Sequence, residues 1–264
     1  MKMERLAPAV CLAALLAVPA LAEDLTIVYK TTGGDGPGVA TSYWSADRIR
    51  RSDPARDTIV EYTSGRMATI DHKKKEYWET TAAEMEAAMK AAAAKMEQAN
   101  PQMQEKMANM PPAVREKMQQ MMGGMAAAVT VTKGGVRKFA GYDCQEYDVA
   151  MGVGMTMHMC MTTAIAPPAP NFDPAKFATV FGPTAAMANN PMFKGMAKLG
   201  EQMRQMKGFP LAESSSFQMM GHTTASSKEA TEVKMGPIPA SSFDVATIAK
   251  GYKKVDSPFA KMAQ

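Results

Sequence analysis

Residues 155 to 163, MTMHMCMTT, carry methionine at positions 155, 157, 159 and 161, with Thr156, His158, Cys160 and Thr162 between them. A two-residue period sorts side chains onto separate faces only in a β-strand. The run just before it behaves in the same way: Gln145, Tyr147 and Val149 alternate with Cys144, Glu146 and Asp148. Paired as a hairpin, the two runs give one apolar, methionine-lined face and one polar face. A register whose opposed residue numbers sum to an odd value would set methionines beside Glu146 and Asp148, so a half-buried sheet admits only even sums. A sum of 304 opposes Cys144 to Cys160 and Glu146 to His158. A sum of 306 gives a three-residue turn with Gly154 at its left-handed position but leaves the cysteines diagonal, nominally about 7 to 8 Å apart. The cysteines favour 304, and that is the register expected.

The same letters form a thioether, imidazole and thiol set of the kind that suits Cu(I). On a strand, however, the methionines point away from His158 and Cys160. The primary expectation is therefore a methionine core face with a surface histidine–carboxylate pair and a cystine, with no metal and no cofactor. Cu(I) binding or buffering of oxidants by exposed thioethers is the alternative.

The amino terminus sets the compartment. Charged MKMER, the apolar LAPAVCLAALLAVPA and then Ala20-Leu21-Ala22 before Glu23 have the form of a secretory signal peptide over residues 1–22. Cys11 sits too early in the apolar run for a lipid-attachment site. The expected mature chain, 23–264, forms one domain, located in the periplasm or secreted, and soluble. Its net charge is about +3, spread without a long basic run, so nucleic acid is not an expected partner. Cys144 and Cys160 are the two cysteines left after cleavage, an even count that favours a disulfide in an oxidising compartment.

From 24 to 80, short β-branched and aromatic runs between turn residues (LTIVYKTT, VATSYWSA, DTIVEYT, KKEYWET) predict an antiparallel meander. Composition then shifts to Ala, Glu, Lys and Met, strong helix formers. Met85, Met89, Met96, Met103, Met107 and Met110 recur on one helical stripe, within a helical segment expected at about 81–125 and interrupted by Pro101 and Pro111-Pro112. A second stripe, Met192, Met196, Leu199, Met203 and Met206, predicts helix at about 172–206. Strands lie between and after these segments. The DHKKKEY run at 71–77 reads as a solvated turn rather than an anionic-lipid contact, and Glu84 and Glu86 as solvent-facing. There is no G-x-S-x-G, metalloprotease helix motif or P-loop. His72 and His222 have no nucleophile near them in sequence, so no enzyme is expected.

The pattern YWSADRIRRSD…TIVEYTSGRMATIDHKKKEYWE, then VRKFAGYDCQEYDV, GFPLAESSSF and ASSFDV…GYKKVDSPF resembles a bacterial exported domain-of-unknown-function family, itself similar in fold to the LolA and LolB lipoprotein carriers. The resemblance covers roughly 25–80, 129–163 and 207–259. It implies an α+β fold: an incomplete antiparallel barrel, with helices on its concave face and an apolar cavity between them for acyl chains. Two features depart from the pattern: the methionine-rich helical inserts are long, and VATIAKGY stands where relatives have a tighter Val-Pro turn. No lipoprotein-contacting residue is carried over. The expected function is a non-enzymatic periplasmic protein holding a hydrophobic small molecule, lipid or lipoprotein acyl chain, with peripheral contact to the envelope. Its lining candidates are Met85, Met89, Met96, Met103, Met107, Met155, Met157, Met159, Met196 and Met203, since unbranched, polarizable methionine adapts to varied apolar shapes.

Overall fold

The computed structural model describes residues 23–33, 37–92, 94–95, 111–112, 129–151, 155–166, 206–219 and 222–262. The expected signal peptide and most of the two methionine-rich segments lie outside these residues. Among the described residues, two antiparallel meanders of six and five strands, together with a short twelfth strand, make up a single sheet. The first runs β1 (Leu25–Gly33), β2 (Gly38–Trp44), β3 (Arg48–Ser52), β4 (Arg56–Glu61), β5 (Arg66–Asp71) and β6 (Glu76–Thr81); the second runs β7 (Val129–Phe139), β8 (Tyr142–Met151), β9 (Met155–Thr162), β10 (Phe209–Met219) and β11 (His222–Met235). They join where β1 pairs antiparallel with β11, from Leu25↔Met235 to Gly33↔Ser226. The strand order is β12-β6-β5-β4-β3-β2-β1-β11-β10-β9-β8-β7, so the sheet is not closed among the described residues. Two-residue β12 (Lys253–Lys254) adds a parallel pairing, against β6.

Turn chemistry follows local sequence. Asp53 accepts from the backbone N–H groups of Ala55 and Arg56 to close the β3–β4 turn. Gly65 (φ 64°) and Gly141 (φ 86°) occupy the left-handed conformation that glycine adopts without a Cβ penalty.

Helix α1, residues 82–92, begins in a reciprocal cap. Thr81 Oγ1 accepts from the Glu84 N–H at 3.2 Å, while Glu84 Oε2 accepts from the Thr81 N–H at 2.8 Å. Glu84 is solvent-facing as expected, but it also anchors this helix start. Those hydrogen bonds, the Thr81 N–H first, hold its carboxyl below the usual range. Met85 and Ala88 are the buried residues of α1.

The carboxy-terminal VATIAKGY stretch, which the resemblance set against a tighter Val-Pro turn, opens as helix α2 (Val245–Ile248). Asp244 supplies the reason: its carboxylate accepts from the N–H groups of Ala246 and Thr247 and so satisfies the first turn. A 3-10 turn (Ala240–Phe243) precedes it and α3 (Pro258–Met262) follows β12.

Among the described residues, three apolar clusters hold the sheet. Leu25, Ile27 and Tyr29 of β1 pack with Phe209, Leu211, Ile165 and the two cysteines, and Trp44 meets Phe209 edge to face at 5.0 Å. Ile59, Ala68 and Ile70 pack under Val245 and Ala249. Val129, Val149, Met159, Met161 and Met206 form the third.

Candidate functional site

The third cluster is the methionine face expected from alternation. Val149, Met159 and Met161 are buried, while Tyr147, Met155 and Met157 are half-buried around them. Of the other lining candidates, Met85 is buried and Met89 half-buried on α1. Met96, Met103, Met107, Met196 and Met203 lie outside the described residues.

The hairpin register corrects the expectation. Opposed residues of β8 and β9 sum to 306, from Gln145↔Met161 through Asp148↔His158 to Met151↔Met155, not to 304. The preference of the turn therefore prevails. Cys144 and Cys160 are nonetheless joined, diagonally, with Cα atoms 5.3 Å apart. The 7 to 8 Å diagonal of a flat ladder does not apply because strand twist shortens one diagonal while lengthening the other. The observed spacing falls within the disulfide range.

The register also gives His158 two carboxylates rather than one. Nδ1 lies 2.7 Å from Asp148 Oδ1, and Nε2 lies 3.1 Å from Glu146 Oε1. The hydrogen bond to Asp148, opposed by partial desolvation and reinforced by Glu146, raises the imidazole pKa above its ordinary value. With both nitrogens engaged, His158 has no free lone pair to act as a base. Both thiols are consumed in the disulfide, and the methionines share the ladder face opposite His158. The ligand set of the copper reading is thus divided between two faces. Among the described residues, no group of three or more His, Cys, Asp or Glu side chains is placed to hold a metal ion.

A further cluster escaped the sequence reading. Asp57, fully buried, accepts from Arg50 Nε at 3.0 Å and Nη2 at 3.1 Å and contacts His72 Nε2 at 2.9 Å. His72 Nδ1 lies 3.1 Å from the Tyr252 hydroxyl, and Arg50 Nη1 donates to the Ser242 carbonyl. This network ties the carboxy-terminal segment to β3 and β4. Its signal in the sequence was Asp57 alternating in step with apolar Ile59: a carboxylate on a buried face requires a cation. His72, isolated in sequence, is brought to that carboxylate by the β5–β6 turn.

Two clefts flank these groups. One, about 480 Å³, is lined by hydroxyls including Thr32, Thr132, Thr156 and Ser214, together with His158 and Asp148. The other, about 400 Å³, lies between the β3–β4 turn and the β10–β11 ladder and is lined by Arg51, Asp53, Glu213, Ser215 and Lys228 among others. No helix among the described residues is long and apolar enough to cross a membrane.

No family model and no curated protein matches the chain. Among solved structures, it is similar to an uncharacterized conserved protein from Thermus thermophilus, at 7% identity and TM-score 0.44 over 90% of this chain and 92% of that one. It is also similar to MucB, at 8% identity and TM-score 0.36, over 83% of this chain and 56% of that one. Likenesses of this size assign no family, and the functional reading rests on the site.

Proposed function

We propose that the protein is an exported, non-enzymatic carrier that holds an apolar ligand, a lipid or acyl chain, against the methionine face of β8 and β9. In this reading the sheet is a half-barrel of the lipoprotein-carrier type. The observation behind the reading is the half-buried rim of Tyr147, Met155 and Met157 around buried Val149, Met159 and Met161. Such a surface is apolar, adaptable and partly open. The amino-terminal signal pattern and the Cys144–Cys160 disulfide support an oxidising compartment.

The test is displacement of a fluorescent apolar probe from wild type and from the double variant Met157→Leu, Met159→Leu. Leucine keeps apolar volume nearly constant and removes the thioethers, so a lipid carrier retains probe binding. If the wild type binds no apolar probe yet takes up Cu(I), and the Leu variant does not, the carrier reading gives way to copper binding.

A further inference from the structure

The 400 Å³ cleft and the methionine face belong to one surface. Cross-strand partners share a face. Thr31 pairs with Lys228, Lys228 with Glu213, Glu213 with Met159 and Met159 with Tyr147. The next row runs in the same way from Gly33 through Ser226 and Ser215 to Met157 and Val149. The floor of the cleft therefore continues into the methionines, with Lys228 and Met159 two strand spacings apart, about 10 Å.

The charged groups lining the cleft differ in how they are engaged. Glu213 is engaged by Lys228 at 2.7 Å, and Lys228 lies over the Tyr29 ring. Asp53 uses Oδ1 to hold its own turn, accepting from Ala55 and Arg56. Lys73 also lines the cleft and has a partner of its own. Arg51 lines the cleft from β3, on the face of Ile27 through Ser42, and has no hydrogen-bond or ion-pair partner among the described residues. The guanidinium of Arg51 is thus open to a ligand, and its planar fork of donors matches a carboxylate or phosphate. Serine hydroxyls and the backbone of Gly33 complete a polar wall around it.

We infer that this cleft takes the anionic head group, carboxylate or phosphate, of an amphiphile whose apolar tail lies along the half-buried Met157. The inference rests on the apolar-ligand reading and narrows it to a class: single-headed anionic lipids rather than neutral ones. Arg51 is the specificity-determining residue, and the methionine face supplies affinity common to any tail.

The experiment compares, in the full mature chain, a long-chain fatty acid, an alkyl phosphate and a fatty alcohol of equal chain length by displacement of one fluorescent probe. At least one of the two anions should bind about tenfold or more tightly than the alcohol, and the preferred anion identifies the head group. In Arg51→Gln the anion-to-alcohol ratio should fall to near one, whereas Lys30→Gln, on the other face of β1, should keep it. Raising the salt concentration on wild type should erode the anion preference but leave alcohol binding in place, a readout that needs no variant. Equal affinity for all three ligands in wild type, or a ratio that survives Arg51→Gln, overturns the head-group site while the apolar reading stands. Binding of none of the three overturns the apolar reading, and this inference falls with it.

Discussion

Replacing Asp57 by Ala should be among the most destabilising single changes on the surface of β3 and β4 that faces α2. The Asp57 carboxylate is about 1% exposed and Arg50 about 15%, so the pair sits largely out of water, with His72 on the second carboxylate oxygen. Removing the acid strands the guanidinium beside an apolar cluster and loses three contacts at once. Breaking such a buried pair from one side costs roughly 3 to 5 kcal/mol. At about 2 to 4 °C per kcal/mol for a chain of this size class, the melting temperature should drop by roughly 6 to 20 °C. Thermal melts by circular dichroism of wild type, Asp57→Ala and the double variant Arg50→Met, Asp57→Leu measure this. The double variant should recover much of the loss, since an apolar pair carries no stranded charge. Arg66→Gln, which removes the far more exposed Arg66–Glu61 pair, should cost only about 0 to 1 kcal/mol. A loss below about 1 kcal/mol for Asp57→Ala, or a double variant no better than the single, would refute the argument that this carboxylate exists to neutralise Arg50.

Three further outcomes are expected. Reducing the Cys144–Cys160 bond, which closes a 16-residue separation, should cost about 3 kcal/mol in the chain-entropy model, read as a lower denaturant midpoint under reducing conditions. His158 carries a raised pKa in the folded state, so its stabilisation is fully present below its unfolded value of about 6.5 and is lost as pH rises through the folded value. His158→Gln should therefore destabilise more at pH 6 than at pH 9, and a pH-independent difference in melting temperature would contradict this. Thr81→Ala removes half of the α1 capping box and should cost about 1 kcal/mol, with faster amide exchange confined to the first turn of the helix.

The sequence made some of this legible because certain residues can be read locally. Strict alternation in MTMHMCMTT was enough to place Met159 and Met161 inside and His158 on the other face, and an even cysteine count was enough to join Cys144 to Cys160. The register is not legible in the same way, because the pair is twisted and a diagonal of 5.3 Å is available that a flat ladder lacks. The β1–β11 seam, which assembles the cleft, could not be read from local pattern. Neither strand carries a residue that names its partner about 200 positions away, and the hydroxyl-rich SSS and TTASS runs are nearly featureless on both faces. Arg51 carries no local signal, because the β10–β11 side of the cleft that it lines is brought there only by the β1–β11 seam. The local signal of α2 is Asp244 just before VATI, a side chain suited to cap the first turn.

The same seam has a kinetic meaning. The hairpins from β1 to β6, from β7 to β9 and from β10 to β11 join neighbours in sequence and can zip locally, and the Cys144–Cys160 hairpin can be locked early by its own disulfide. The centre of the sheet is different: Leu25 must wait for Met235, so nearly the whole chain has to be present before β1 gains its second partner. Closing such a loop is entropically slow, and until then the apolar strand LTIVY presents an unpaired edge. Folding should therefore show a fast phase from the hairpins and a slower one from the seam, with β1 as the segment most exposed to aggregation or chaperone capture in between.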